Sequence, residues 1–212
     1  MKQNMRKRSP LAVLLALCLA MQLCVPAAMA SNRLMRAGDA AIEQIEEEEG
    51  FRAEKYSSGG KWYIGYGTEC GAEDYPEGIT REEAELLLMS KVEAYEAKLN
   101  DFFDRYDVTP TQGQFDALIC FSYNFGTGWM SGTSDLVKIA RGEKDATRLE
   151  VAHAFGEWCH SGGQAQAGLA DRRLQEAAIY LDDSTRAAEN EFSSGTGCPP
   201  SKHATFAISP FT

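Results

Sequence analysis

Apolar residues recur along this chain at two different periods, and each change of period marks a change of element. Over residues 32–49, Leu34, Ala41, Ile42 and Ile45 return at helical steps, which predicts a helix stopped by Gly50. Over 61–68 the period falls to two. Trp62, Ile64 and Tyr66 alternate there with Tyr63, Gly65 and Gly67, a strand pattern whose glycines let a backbone or ligand come close. Ser57-Ser58-Gly59-Gly60 is turn material, and Pro76 and Gly78 close a small β region over 56–79. Thr80-Arg81-Glu82-Glu83 then fits a capping box, predicting a long helix over 81–105. Its apolar face is Ala84, Leu87, Leu88, Val92, Tyr95, Leu99 and Phe102, and its dense charges read as a solvated face. After Pro110, Thr111-Gln112-Gly113-Gln114 fits a second capping box at the start of a buried helix through Phe115, Leu118, Ile119 and Ser122, ending near Gly126. Shorter helices are predicted over 134–141, 146–158 and 169–181. From about residue 182 the apolar period is lost. The predicted class is α+β, mostly helical with one small sheet near the N-terminal end.

The 212 residues suit one domain with tails, and 44% hydrophobic residues are too many for a wholly disordered chain. Lys2, Arg6, Lys7 and Arg8, an apolar run over 11–25 and Ala28-Met29-Ala30 predict a cleavable secretory signal at 1–30, with the mature chain starting at Ser31. The expected organisation is therefore a signal at 1–30, a domain at 31–183 and a loose tail at 184–212 rich in Ser, Gly and Pro. The expected location is secreted, periplasmic or at the cell wall, with no stable membrane anchor after cleavage. The formal charge is −10, and loss of the four basic residues of the signal makes the remainder −14. Such a body repels nucleic acid and anionic lipid, so neither is an expected partner. Cys70, Cys120, Cys159 and Cys198 remain after cleavage. They allow two disulfides with three connectivities open, although Cys120 and Cys159 also fit as small buried residues. Their spacing is too wide for a compact zinc motif, so neither metal nor cofactor is expected. His153, His160 and His203 form no metal spacing, and Cys159-His160 gives poor support for a nucleophile and its base.

Glu49 is the first chemical candidate. It follows Ile42 and Ile45 at seven and four residues, so it shares their helix face and places a carboxyl where the apolar stripe points. Its place in the last turn adds the negative end of the helix dipole. Both effects disfavour the carboxylate, as suits a general acid. Glu46, Glu47 and Glu48 read as a solvated acidic run.

Further residues carry a resemblance. Glu49-Gly50-Phe51-Arg52, Tyr56 and Tyr63-Ile64-Gly65-Tyr66-Gly67-Thr68 resemble the phage-type lysozymes, family twenty-four of the glycoside hydrolases. So do Gly78-Ile79-Thr80-Arg81-Glu82-Glu83-Ala84, the stretch from Thr111 to Gly128, and Trp158 with Gly168-Leu169-x-x-Arg172-Arg173-x-x-Glu176. The likeness runs in order over about 40–181. It implies a lysozyme-like fold, with a hairpin lobe and a long connecting helix, acting as a monomer on peptidoglycan glycan strands. It implies cleavage between N-acetylmuramic acid and N-acetylglucosamine. It also implies that Glu49 is the general acid and that Tyr66, Thr68 and Tyr123 line the sugar site.

Two departures from the family pattern stand out. The family's second carboxylate, an Asp nine residues after the Glu, is Ser58 here. The Thr before the Ile-Gly pair is Tyr63, in a loop one residue shorter. Glycoside hydrolysis ordinarily uses a second group opposite the acid. Ser58 is a neutral candidate for it, and Glu69, just after the hairpin core, is a charged one, with Asp74 weaker. The alternative is a lysozyme-like module that binds peptidoglycan with little or no turnover.

Overall fold

The computed structural model describes residues 34–182; the expected signal at 1–30 and tail at 184–212 lie outside them. Helix α1 spans Asp39–Glu49 and so begins later than the apolar pattern predicts. The residues before it are extended because helices further along the chain hold their amides. The N–H groups of Met35, Ala37 and Gly38 donate to Asn100 Oδ1, Glu96 Oε1 and Asp116 Oδ1, each at 2.8 Å. Satisfying those donors at a distance competes with local helix formation. Glu96 is 3% exposed and also receives Arg36, so it departs from the expected solvated face.

Three strands follow: β1 (Arg52–Ser58), β2 (Lys61–Gly65) and β3 (Thr68–Cys70), forming an antiparallel sheet in that order. Gly59 and Gly60 join β1 to β2 with φ of +58° and +79°. A two-residue hairpin of this hand needs positive φ at both central positions. The single strand expected over 61–68 is interrupted at Tyr66-Gly67, where Gly67 has φ +74°. The chain turns there, and β3 pairs back on β2 with Tyr63 opposite Glu69.

Helix α2 (Arg81–Tyr106) connects this sheet to the helical body, touching β2, β3 and the next helix, α3 (Gln112–Phe125). Both expected capping boxes form. Thr80 Oγ1 accepts from the Glu83 amide at 3.1 Å and Glu83 Oε2 from the Thr80 amide at 2.8 Å; Thr111 and Gln114 do the same. Residues 115–123 of α3 are buried on every side, as for a helix at the centre of a domain. A short 3-10 turn (Gly128–Ser131), α4 (Asp135–Ala140), α5 (Arg148–Gly156), the small hairpin β4 (His160–Ser161) with β5 (Gln164–Ala165), and α6 (Ala167–Tyr180) complete the order. Helix α1 packs on α3, and α6 packs on α3 and α5. Among the described residues no helix is long and apolar enough to cross a membrane. Cys159 is disulfide-bonded, whereas Cys70 and Cys120 are free thiols. Two disulfides among the four cysteines are therefore ruled out.

Candidate functional site

Glu49 is the last residue of α1, released by Gly50 at φ +64°. Its side chain is 22% exposed, and its neighbour is a guanidinium rather than the apolar wall expected from the helix face. Arg172, on α6, donates from Nη1 to Glu49 Oε1 at 2.8 Å and from Nε to Glu48 Oε2 at 3.3 Å. Burial works against the charge on Arg172, but Glu49 and then Glu48 outweigh it and raise its pKa. Glu48 is thus not part of a solvated run. It shares the clamp that orients Glu49. The other oxygen, Glu49 Oε2, faces the hairpin, where a Cβ added to Gly67 would come within 3.1 Å of it. With its positive φ, Gly67 is both the turn residue and the space into which the carboxylate reaches.

The hairpin, α2 and the end of α3 enclose a groove of about 740 Å³. Thr68, Glu69, Tyr123, Lys91, Tyr95 and Phe125 are among its walls. Tyr123 is buried; its hydroxyl donates to the Tyr66 carbonyl at 2.7 Å and so ties α3 to the hairpin. Burial, reinforced by nearby Glu49, pushes the Tyr123 phenol well up, so it stays a neutral donor. Tyr66 is 1% exposed. Its hydroxyl accepts from Arg81 at 2.7 Å and its ring lies 5.9 Å from Phe51, so its link to the site is the carbonyl that Tyr123 holds. Thr68 offers a different case: its hydroxyl is buried in the groove wall beside the Tyr123 phenol, with which it interacts.

The two candidates for the second catalytic group are placed differently. Ser58 is exposed at the last position of β1, beside the Gly59-Gly60 turn and opposite Lys61 in the ladder; it is not among the groove walls. Glu69 does line the groove but is exposed and ion-paired to Lys61 at 2.8 Å. Asp74 is occupied in its own turn, accepting from the Gly71 amide at 2.7 Å.

Several site residues are invisible to local pattern. Phe125 is 44% exposed at the groove, stacked on Phe121 at 5.6 Å and edge-on to Trp158 at 4.7 Å. That packing fixes the ring and leaves part of it open to the groove. Arg172 reaches Glu49 from 123 residues away, and only the helix packing makes them neighbours. Behind them, Arg173 and Glu176 are both 0% exposed and paired at 2.7 Å; Arg173 also donates to Asn124 Oδ1 at 3.1 Å. Burial pushes Glu176 up to about 7, against the pull of Arg173 and Arg172.

Comparison with known proteins gives one consistent result. Residues 46–176 match the family model described as phage lysozyme. The chain is 34% identical over 167 residues to an endolysin of Bacillus phage B103, covering 75% of this chain and 59% of that protein. It thus spans little more than half the length of the curated relatives it matches. The solved endolysin from Escherichia coli O157:H7 phage FAHEc1 superposes with a TM-score of 0.58 at 31% identity, covering 70% of this chain and 94% of that one. The muramidase domain of SpmX from Asticaccaulis excentricus gives 0.56 at 28% identity, covering 69% and 97%. The expected lysozyme-like α+β fold is therefore the observed one.

Proposed function

Since this chain belongs to the phage lysozyme family, we propose that it is an exported muramidase, hydrolysing peptidoglycan between N-acetylmuramic acid and N-acetylglucosamine with Glu49 as general acid. The observation that carries this reading is the fixed carboxyl of Glu49. Arg172 holds Oε1, and Oε2 is left directed at Gly67, a residue of the groove wall. A proton delivered from Oε2 to a bridging sugar oxygen needs that kind of one-sided restraint. Phe125 supplies a stacking face. The Thr68 hydroxyl in the groove wall suits a sugar hydroxyl or N-acetyl group, and Tyr123 keeps the hairpin at its distance from α3. Glu69 serves as the group that steers water to the opposite face of the sugar, with Ser58 a neutral contributor at the lip of the sheet. Mature chains begin at Ser31 once the 1–30 segment has directed export.

The acidic body gains nothing from long-range attraction to an anionic wall, so binding rests on stacking and hydrogen bonds and tolerates salt. The deciding experiment is release of reducing sugar from purified cell walls by the mature chain and by Glu49→Gln. Loss of at least about 10²-fold in kcat is expected from removing a general acid. Equal release by the two proteins overturns the role of Glu49.

One observation favours a second reading, a peptidoglycan-binding module of low turnover. The position of the family's second carboxylate carries an exposed serine, and the nearest substitute, Glu69, is already neutralised by Lys61. Wall binding that persists with no sugar release in either protein supports that reading instead.

A further inference from the structure

Lys91 stands apart in this acid-rich chain. It projects from α2 into the groove wall and is half-buried. Its ammonium lies 3.8 Å over the centroid of the Tyr123 ring and donates to the Gly67 carbonyl at 3.2 Å. No carboxylate lies within ion-pair distance of it among the described residues. The other lysine of the groove, Lys61, is neutralised by Glu69.

An ammonium has three donors and no accepting capacity. One N–H is spent on a carbonyl, and the aromatic face shares the rest of its charge. That leaves hydrogen-bonding capacity in a cleft with room for a ligand. A cation removed from water without a counter-charge is costly, and an arriving anion relieves that cost. In keeping with this, burial lowers the pKa of Lys91, while Glu49 and then Glu69 oppose it from longer range.

We propose that Lys91 is a carboxylate-recognising subsite, which selects glycans whose muramic acid units carry an anion over neutral N-acetylglucosamine polymers. The inference rests on reading the groove as a glycan site. The carboxylate has two chemical sources: the lactyl group of a peptide-free muramic acid, or the acidic residue of an attached peptide stem. Both present an oxygen pair to one ammonium. Because the contact is partly desolvated, it resists screening better than a surface pair, in agreement with salt-tolerant binding.

The test is calorimetry on the full mature chain carrying Glu49→Gln, which prevents turnover, with and without a second change at Lys91. The probes are chitotetraose, which is neutral; a peptide-free tetramer of alternating N-acetylglucosamine and N-acetylmuramic acid; and the same tetramer carrying alanyl-isoglutamate stems. Lys91→Met is expected to weaken an anionic tetramer about tenfold, the scale of one lost charge-assisted hydrogen bond. Chitotetraose binding should stay within about twofold, and Lys91→Arg should restore most of the loss. Whichever anionic tetramer responds identifies the source of the carboxylate. Equal weakening of neutral and charged probes overturns the proposal, because Lys91 would then act only by holding Tyr123 and Gly67. No change for any probe overturns it too, while leaving the glycan reading intact. No binding of any probe by the parent overturns both.

Discussion

Glu49 and Ser58 flank strand β1, one before its start and one at its end, and their surroundings differ in kind. Glu49 is gripped by a mostly buried arginine that also holds Glu48, and it abuts a glycine whose missing side chain makes room for it. Ser58 has an exposed side chain at a glycine turn, and only the ladder to Lys61 fixes its place. One flank is preorganised from the helical body; the other is a hairpin tip. A carboxylate at the first position works through orientation supplied by α6. A group at the second must work with whatever order the hairpin supplies by itself. The contrast shows which of the two proposed catalytic positions the helical body braces.

Breaking the braced flank should have the largest effect. Arg172→Met leaves Glu48 and Glu49 side by side without their shared cation, and kcat on cell walls should fall about 10- to 100-fold with KM little changed. A fall in KM affinity with unchanged kcat would assign Arg172 to glycan binding instead. Rebuilding the other flank should have a smaller and opposite effect. Ser58→Asp is expected to raise kcat about tenfold, well short of the 10²–10³ that a preorganised electrostatic group supplies, because the hairpin tip does not fix it. In the same assay Ser58→Ala should change the rate by less than about twofold, and a large loss would show that the hydroxyl itself positions water.

The smallest effect is on stability and comes from behind the braced flank. Folding raises the pKa of Glu176 to about 7 through burial, above its ordinary carboxyl range. Its stabilising contribution is therefore complete below about pH 4.5 and is lost as pH rises through 7. The groups facing it are Arg173, Arg172 and Glu48, with Glu49 and Cys120 lining the same small cavity. Glu176→Gln cannot titrate, so its melting temperature should decline less between pH 5 and 8 than that of the parent. Parallel melting curves across that range would show that Glu176 stays ionised against Arg173.

Much of the molecule is legible in its local sequence. Capping boxes at Thr80 and Thr111 and the apolar faces behind them placed α2 and α3 almost to the residue, because caps and helix periodicity are local. The paired glycines before Lys61 marked a turn, although the strand leading into it, β1, carries no clear alternation of its own. The rest depended on partners far along the chain. Local pattern began α1 too early because the acceptors for its preceding amides lie on α2 and α3. It read Glu48 and Glu96 as solvated because their arginines arrive from other segments. The resemblance implies Tyr66 as a sugar-site residue, whereas packing turns its ring inward and gives its carbonyl to the Tyr123 hydroxyl. By itself the sequence determined the main helices, the class and the family, since each is written in neighbouring residues. The tertiary structure alone decided what that acid faces, which cations remain unpaired and which walls meet. Those are properties of packing between segments as much as 131 residues apart, where no local period can carry a signal.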